Sequence, residues 1–145
     1  MYGIIVFFTG VAIAQGIKTL QALLQKEISW RKRVYNAIRS LGRSGGMPSG
    51  HTLSLSSLTT YLGLEYGLTS PYFAIGVGFT WWFMYDAVKA RRSIGEQAKA
   101  INWILDDFGE KNNHIKLIEG HTMPEVAVGL ILGVATGYIS FKLLP

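Results

Sequence analysis

Two histidines stand where chemistry is possible, each in a stretch that reads as the polar start of a helix. The first is His51, which closes "RSGGMPSGH" at 43–51. Gly45 and Gly46 permit positive φ and a close approach of backbone to a ligand, and Pro48 suits the first turn of a helix beginning nearby. That helix would turn the N–H groups of Ser49, Gly50 and His51 toward an anion, with Arg43 ahead of them to add charge. A histidine there can protonate an oxygen leaving a phosphate. A plain loop-to-helix junction capped by serine explains the Gly, Pro and Ser residues as well, and leaves His51 over.

The second is His121, in "EGHTMPEV" at 119–126. His121 and Glu125 are four apart and share a face if a helix begins near the histidine. A carboxylate so placed holds Nδ1–H and leaves Nε2 free as nucleophile or base. The same residues contain a T-x-x-E capping box, in which Glu125 reaches back to the N–H of Thr122. Both roles for Glu125 stay open.

Chemistry at a phosphate needs several cationic donors, because charge builds on its equatorial oxygens during transfer. The supply is Lys18, Arg43, Arg91, Arg92 and Lys116. Snorkelling or topology-setting charge is the other role for such residues; it is preferred for Lys116 and left open for Arg91 and Arg92. Asp86 falls near the end of an apolar segment, where an acid is costly unless paired. An arginine five or six residues on is the simple partner, and a catalytic role the bolder one. With no cysteine, the chain has no thiolate nucleophile, disulfide or cysteine metal site.

The elements that must position these residues are apolar. With 49% hydrophobic and only 16% charged residues and a mean hydropathy of +0.25, the 145-residue chain reads as a single membrane domain, 1–145. Its net charge of +5 lies in stretches bordering apolar runs, without aromatic interleaving, so a membrane surface or an anionic substrate fits better than nucleic acid. The first apolar run, Met1 to about Leu24, is long enough to cross a bilayer and lacks a basic leader and a small-residue cleavage site, so it is expected to be retained. Further apolar runs cover Thr52 to about Gly67, about Tyr72 to Val88, and Met123 to Leu144. The second is rich in Ser and Thr that can bond back to helix carbonyls, and the last carries Gly129, Gly133 and Gly137 as a ridge for close packing. The expected fold is therefore an all-α integral membrane bundle of about four spanning helices. Amphipathic interfacial helices are added near 28–40 and 93–108, and "DDFGEKNNH" at 106–114 is a loop. Self-association is compatible with this pattern and not specified by it. Four spans put 25–51 and 88–122 on one side, and their excess of Lys and Arg places that face in the cytoplasm.

Taken together, "GGMPSGH" at 45–51, "YDAVKARRSIGEQA" at 85–98 and "EGHTMPEVAVG" at 119–129 resemble the divergent branch of the type 2 phosphatidic acid phosphatase and vanadium haloperoxidase superfamily. The resemblance implies an all-helical membrane phosphatase that works through a phosphohistidine without metal, and no cofactor is expected; the apolar walls point to a lipid phosphate, whose tail could stay in the bilayer while its head reaches the polar end. The resemblance assigns the general acid to His51, the nucleophile to His121, and the position of the superfamily's aspartate to Glu125. The departures are specific. Lys18 can match the lysine of K-x6-R-P, but Gln25 and Lys26 stand where the R-P half belongs, and Ile115 occupies the place of the third motif's arginine. Phosphatidylglycerophosphate, phosphatidate and a polyprenyl diphosphate all suit a lipid site of this kind. Two other readings stand beside it. One is a metal-dependent membrane hydrolase with His51, His121, Glu125, Asp86 and Glu119 as ligands. The other is a non-catalytic membrane assembly or lipid-binding protein.

Overall fold

A computed structural model describes residues 2–25, 29–40, 46–117 and 120–145. All regular structure among them is helical: α1 (Gly3–Leu23), α2 (Trp30–Ser40), α3 (Gly50–Tyr66), α4 (Pro71–Tyr85), α5 (Arg91–Asp107) and α6 (Met123–Leu143). A π-helical turn, Asp86–Ala90, joins α4 directly to α5. The amphipathic segment expected over 93–108 is thus the continuation of α4 rather than a separate helix, and it runs to Asp107, into the stretch expected to be loop.

α3 is the centre of the bundle and packs on α6, α1 and α4. Beside Leu53, Tyr61 and Gly63 its buried residues are Thr52, Ser54, Ser56, Ser57 and Thr59, types rare in the core of a water-soluble protein. Their hydroxyls satisfy themselves locally: Ser56 Oγ donates to the Thr52 carbonyl at 2.6 Å and Ser57 Oγ to that of Leu53 at 2.6 Å. Thr59 and Thr80 pair across α3 and α4, Oγ1 to Oγ1, at 3.0 Å. The glycine ridge of α6 faces this surface. A Cβ on Gly129 would stand 2.8 Å from the Ser49 carbonyl oxygen, and one on Gly133 2.5 Å from that of Leu53, so the two backbones meet because no side chain separates them. Many large apolar side chains point outward instead, among them Ile5, Phe8, Phe79, Trp82, Ile131 and Leu143. Small and hydroxylated residues inside with bulky apolar residues outside is the distribution expected of helices surrounded by lipid.

Among the described residues, two helices, α1 and α6, each of 21 residues, are long and apolar enough by length and composition to cross a membrane. α3 and α4 are shorter, at 17 and 15 residues. α2 follows the expected interfacial segment and packs on α1. Gly67, at φ +90°, lets the chain reverse between α3 and α4. This alternation brings the C-terminal ends of α1 and α4 and the N-terminal ends of α3 and α6 to one end of the bundle.

Candidate active site

At that end, the start of α6 is built around Glu125. Its Oε2 lies 2.9 Å from Nδ1 of His121 and also accepts the backbone N–H of Thr122 at 3.1 Å. A carboxylate oxygen taking both N–H groups makes Nδ1 the protonated nitrogen, so that in the neutral imidazole Nε2 is the one with a lone pair. The orienting and capping roles expected as alternatives are both present on one atom. Pro124, in the first turn, lacks an N–H just where a helix has no acceptor for one. His121 is buried at 6% exposure, and its backbone N–H donates to the Ala87 carbonyl in the π turn at 2.9 Å.

His51 sits in the first turn of α3, its ring stacked on Phe83 of α4 with centroids 6.1 Å apart and planes 19° from parallel. It lies within electrostatic reach of Arg91, His121, Lys18 and Asp86, and Lys18 in turn within reach of Glu125. Groups from α1, α3, the π turn, α5 and the start of α6 therefore come within electrostatic reach at this end, although Lys18 and His121 are 103 residues apart in the sequence. Arg91 is held by Asp86, Nε to Oδ2, at 2.8 Å, the five-residue pairing that the sequence offered as the simple partner for this acid.

Other expected phosphate ligands are placed differently. Ser49 is fully buried, and its N–H donates to the Glu125 carbonyl at 3.1 Å, so it is not among the donors facing an anion. The physical reason is the close approach at Gly129, which carries the α6 backbone onto the start of α3. The first-turn N–H groups of Gly50 and His51 remain as donors without a helical acceptor. Pro48 precedes the helix, with Ser49 as the N-cap, and follows a cis Met47–Pro48 bond. Gly46 has φ +79°, the left-handed conformation expected of it. Arg92 points its Nε to Glu96 at 3.1 Å on an exposed face. Arg92 nonetheless borders, with Gly95, Lys99, Gly120 and Thr122, a cleft beside His121. Lys116 is exposed, next to Ile115. Arg43, Gly45 and Glu119 lie outside the described residues.

Three further residues were missed. Lys99 shares the cleft with Arg92, and its signal was the seven-residue spacing along an amphipathic helix. Asn102 clamps Ile115, taking its N–H at 2.7 Å and donating to its carbonyl at 2.9 Å, and so anchors the segment that leads to His121. Ala87 acts through its carbonyl alone, for which a side chain gives no signal. Among the described residues, no three His, Asp or Glu side chains are grouped as metal ligands. An apolar cleft between α4 and α6, lined by Trp81, Met84, Tyr85, Met123, Val126 and Leu130, opens alongside the start of α6.

The sequence matches the Divergent PAP2 family over residues 2–136. It is also similar to the uncharacterized membrane protein YuiD of Bacillus subtilis (strain 168), at 32% identity over 140 residues, covering 86% of this chain and 84% of that protein. No solved structure matches it.

Proposed function

Because the chain belongs to the divergent PAP2 family, we propose that it is a membrane-embedded phosphatase that hydrolyses a lipid phosphate through a phosphohistidine on His121. The observation that carries this reading is a buried histidine whose Nδ1 is held by Glu125 at 2.9 Å, with His51, Arg91 and Lys18 within electrostatic reach at the same end of the bundle. Nε2 of His121 attacks phosphorus in line as the bond to the lipid oxygen breaks, and His51 gives its proton to that oxygen. Arg91, Lys18 and the first-turn N–H groups of α3 hold the remaining phosphoryl oxygens, with Arg92 and Lys116 as further cations at this end and Arg43 added to them on its place in the sequence alone. Water then attacks phosphorus, His51 takes its proton, the P–N bond breaks, and inorganic phosphate leaves. Neither metal nor cofactor is required by this sequence of steps.

A lipid substrate is favoured by the apolar cleft between α4 and α6. A hydrocarbon chain can lie there while its phosphate reaches the polar end. In this reading α3 and α4, the latter lengthened by its π turn, span the bilayer with α1 and α6. The active end faces the cytoplasm, as the basic segments that flank it favour. Phosphatidylglycerophosphate, phosphatidate and polyprenyl diphosphate are the candidate substrates. Phosphate release from such a panel by the purified protein, with His121→Ala as control, is the direct test. Release from at least one lipid by the unaltered protein and none by the variant is expected. No release from any of them, or equal release by the variant, refutes the reading.

A further inference from the structure

Helices rarely depart from i→i+4 pairing without a reason, and π turns concentrate at functional sites. In this chain the departure falls between the residues that the site uses. The N–H of Arg91 donates to the Asp86 carbonyl, five residues back. Around a regular α-helix, residues five apart point about 140° away from each other. Across the widened turn their side chains meet, at 2.8 Å. A shift of the ladder from four to five also leaves one carbonyl without its usual helical donor where regular pairing resumes. The Ala87 carbonyl, inside this turn, accepts the N–H of His121 from 34 residues further along the chain.

The residue before the histidine shows how close the two segments are. A Cβ on Gly120 would stand 2.6 Å from the backbone N of Arg92 and 2.8 Å from its Cα. Those atoms are backbone and cannot rotate away. The loop carrying His121 is thus laid directly against the end of the π turn, and only glycine fits.

We propose that the π turn Asp86–Ala90 is a positioning device for the reaction: its Ala87 carbonyl fixes the backbone of His121 while the same turn brings Asp86 to Arg91, so that nucleophile and phosphate-binding cation share one register. Ala87 and Gly120 are positioning residues, acting through His121. The inference rests on the proposed phosphatase reading for its effect on turnover, but the contact itself is testable without activity.

Gly120→Ala keeps every reactive side chain and pushes the loop off the turn. It is expected to lower kcat by about 10²-fold, as misplacement of a reacting group by about 1 Å does, with KM changed by less than about threefold. Amide hydrogen exchange at His121 should be slow in the unaltered protein and fast in the variant. Gly78→Ala, where nothing lies within 4 Å of the added carbon, is the control and should change none of these. Deletion of Val88, which removes the extra residue of the turn, should reproduce the loss of kcat and of protection. If it does not fold, Gly120→Ala alone decides. Unchanged kcat and unchanged protection in Gly120→Ala overturn the proposal. An unaltered protein with no phosphatase activity refutes the functional reading instead, and the exchange measurement still decides whether the turn holds His121.

Discussion

Nδ1 of His121 and Oε2 of Glu125 are 2.9 Å apart, and the same Oε2 takes the N–H of Thr122, so one carboxylate oxygen both orients the ring and caps the helix on which it sits. The two functions are normally separable. Here the capping bond fixes where Oε2 points, and that position fixes the ring.

Glu125→Gln distinguishes them by degree. An amide oxygen still caps, so loss of stability should stay below the roughly 1 kcal/mol that a missing cap usually costs. The amide carries no charge to stabilise an imidazolium and can satisfy Nδ1 only with the oxygen it needs for Thr122. Turnover should fall by at least about 10²-fold, toward the ~10⁴-fold known for a triad carboxylate changed to an amide. A folded and fully active Glu125→Gln protein would remove the carboxylate from the mechanism.

The two histidines should fail in different ways. His121→Ala removes the atom that bonds to phosphorus, so neither product nor a covalent phosphoenzyme should form. His51→Ala removes only proton transfer and should slow turnover by about 10²–10⁴-fold. With an activated leaving group, which departs without help, the His51 variant should accumulate phosphohistidine, detectable by acid-labile, base-stable labelling. Labelling of the His121→Ala protein would place the nucleophile elsewhere.

Arg91 is held through Nε, which leaves its terminal nitrogens for a phosphate. Arg91→Lys keeps the charge but cannot hold Asp86 and reach a phosphate with a rigid fork, so it should rescue Arg91→Ala only weakly. We expect Asp86→Asn to raise KM by up to about tenfold and Arg91→Ala to cost about 10²-fold or more in kcat/KM. Full rescue by lysine would reduce Arg91 to a point charge and the pair with Asp86 to packing.

Much of this site was legible in the residues because its signals are local. The four-residue spacing of His121 and Glu125, the Pro at the start of α6 and the glycine ridge each depend on helix geometry alone. What was not legible depends on backbone groups far apart in the chain. The N–H of Ser49 is consumed by the carbonyl of Glu125, and the π turn offers its Ala87 carbonyl to His121. Asn102 binds the main chain of Ile115 across 13 residues. Composition carries no mark of such bonds, because in each case a partner is a main-chain N–H or carbonyl of the kind nearly every residue has. The continuity of α4 and α5 was hidden for a related reason. Their hydrophobic patterns differ, one apolar on all sides and the other amphipathic, and a change of surroundings reads like a break in the chain.

The glycine ridge makes the sharpest prediction about stability, because two effects of opposite sign meet there. Replacing glycine by alanine inside a helix ordinarily stabilises by about 0.5–1 kcal/mol, through the unfolded chain's lost freedom. At Gly133 the new carbon would stand 2.5 Å from the Leu53 carbonyl oxygen and press on Ser56 Oγ. Overpacking of this kind costs about 1–3 kcal/mol and forces α6 away from α3, which also loosens the Ser49–Glu125 bond at the site. Gly133→Ala should therefore unfold at a lower temperature in detergent and lose activity. Gly16→Ala, on α1 with nothing within 4 Å, should be as stable as the unaltered protein or slightly more so. Equal melting temperatures for the two variants would mean that α6 does not rest on its glycines, and the register that brings His121 toward His51 would need another cause.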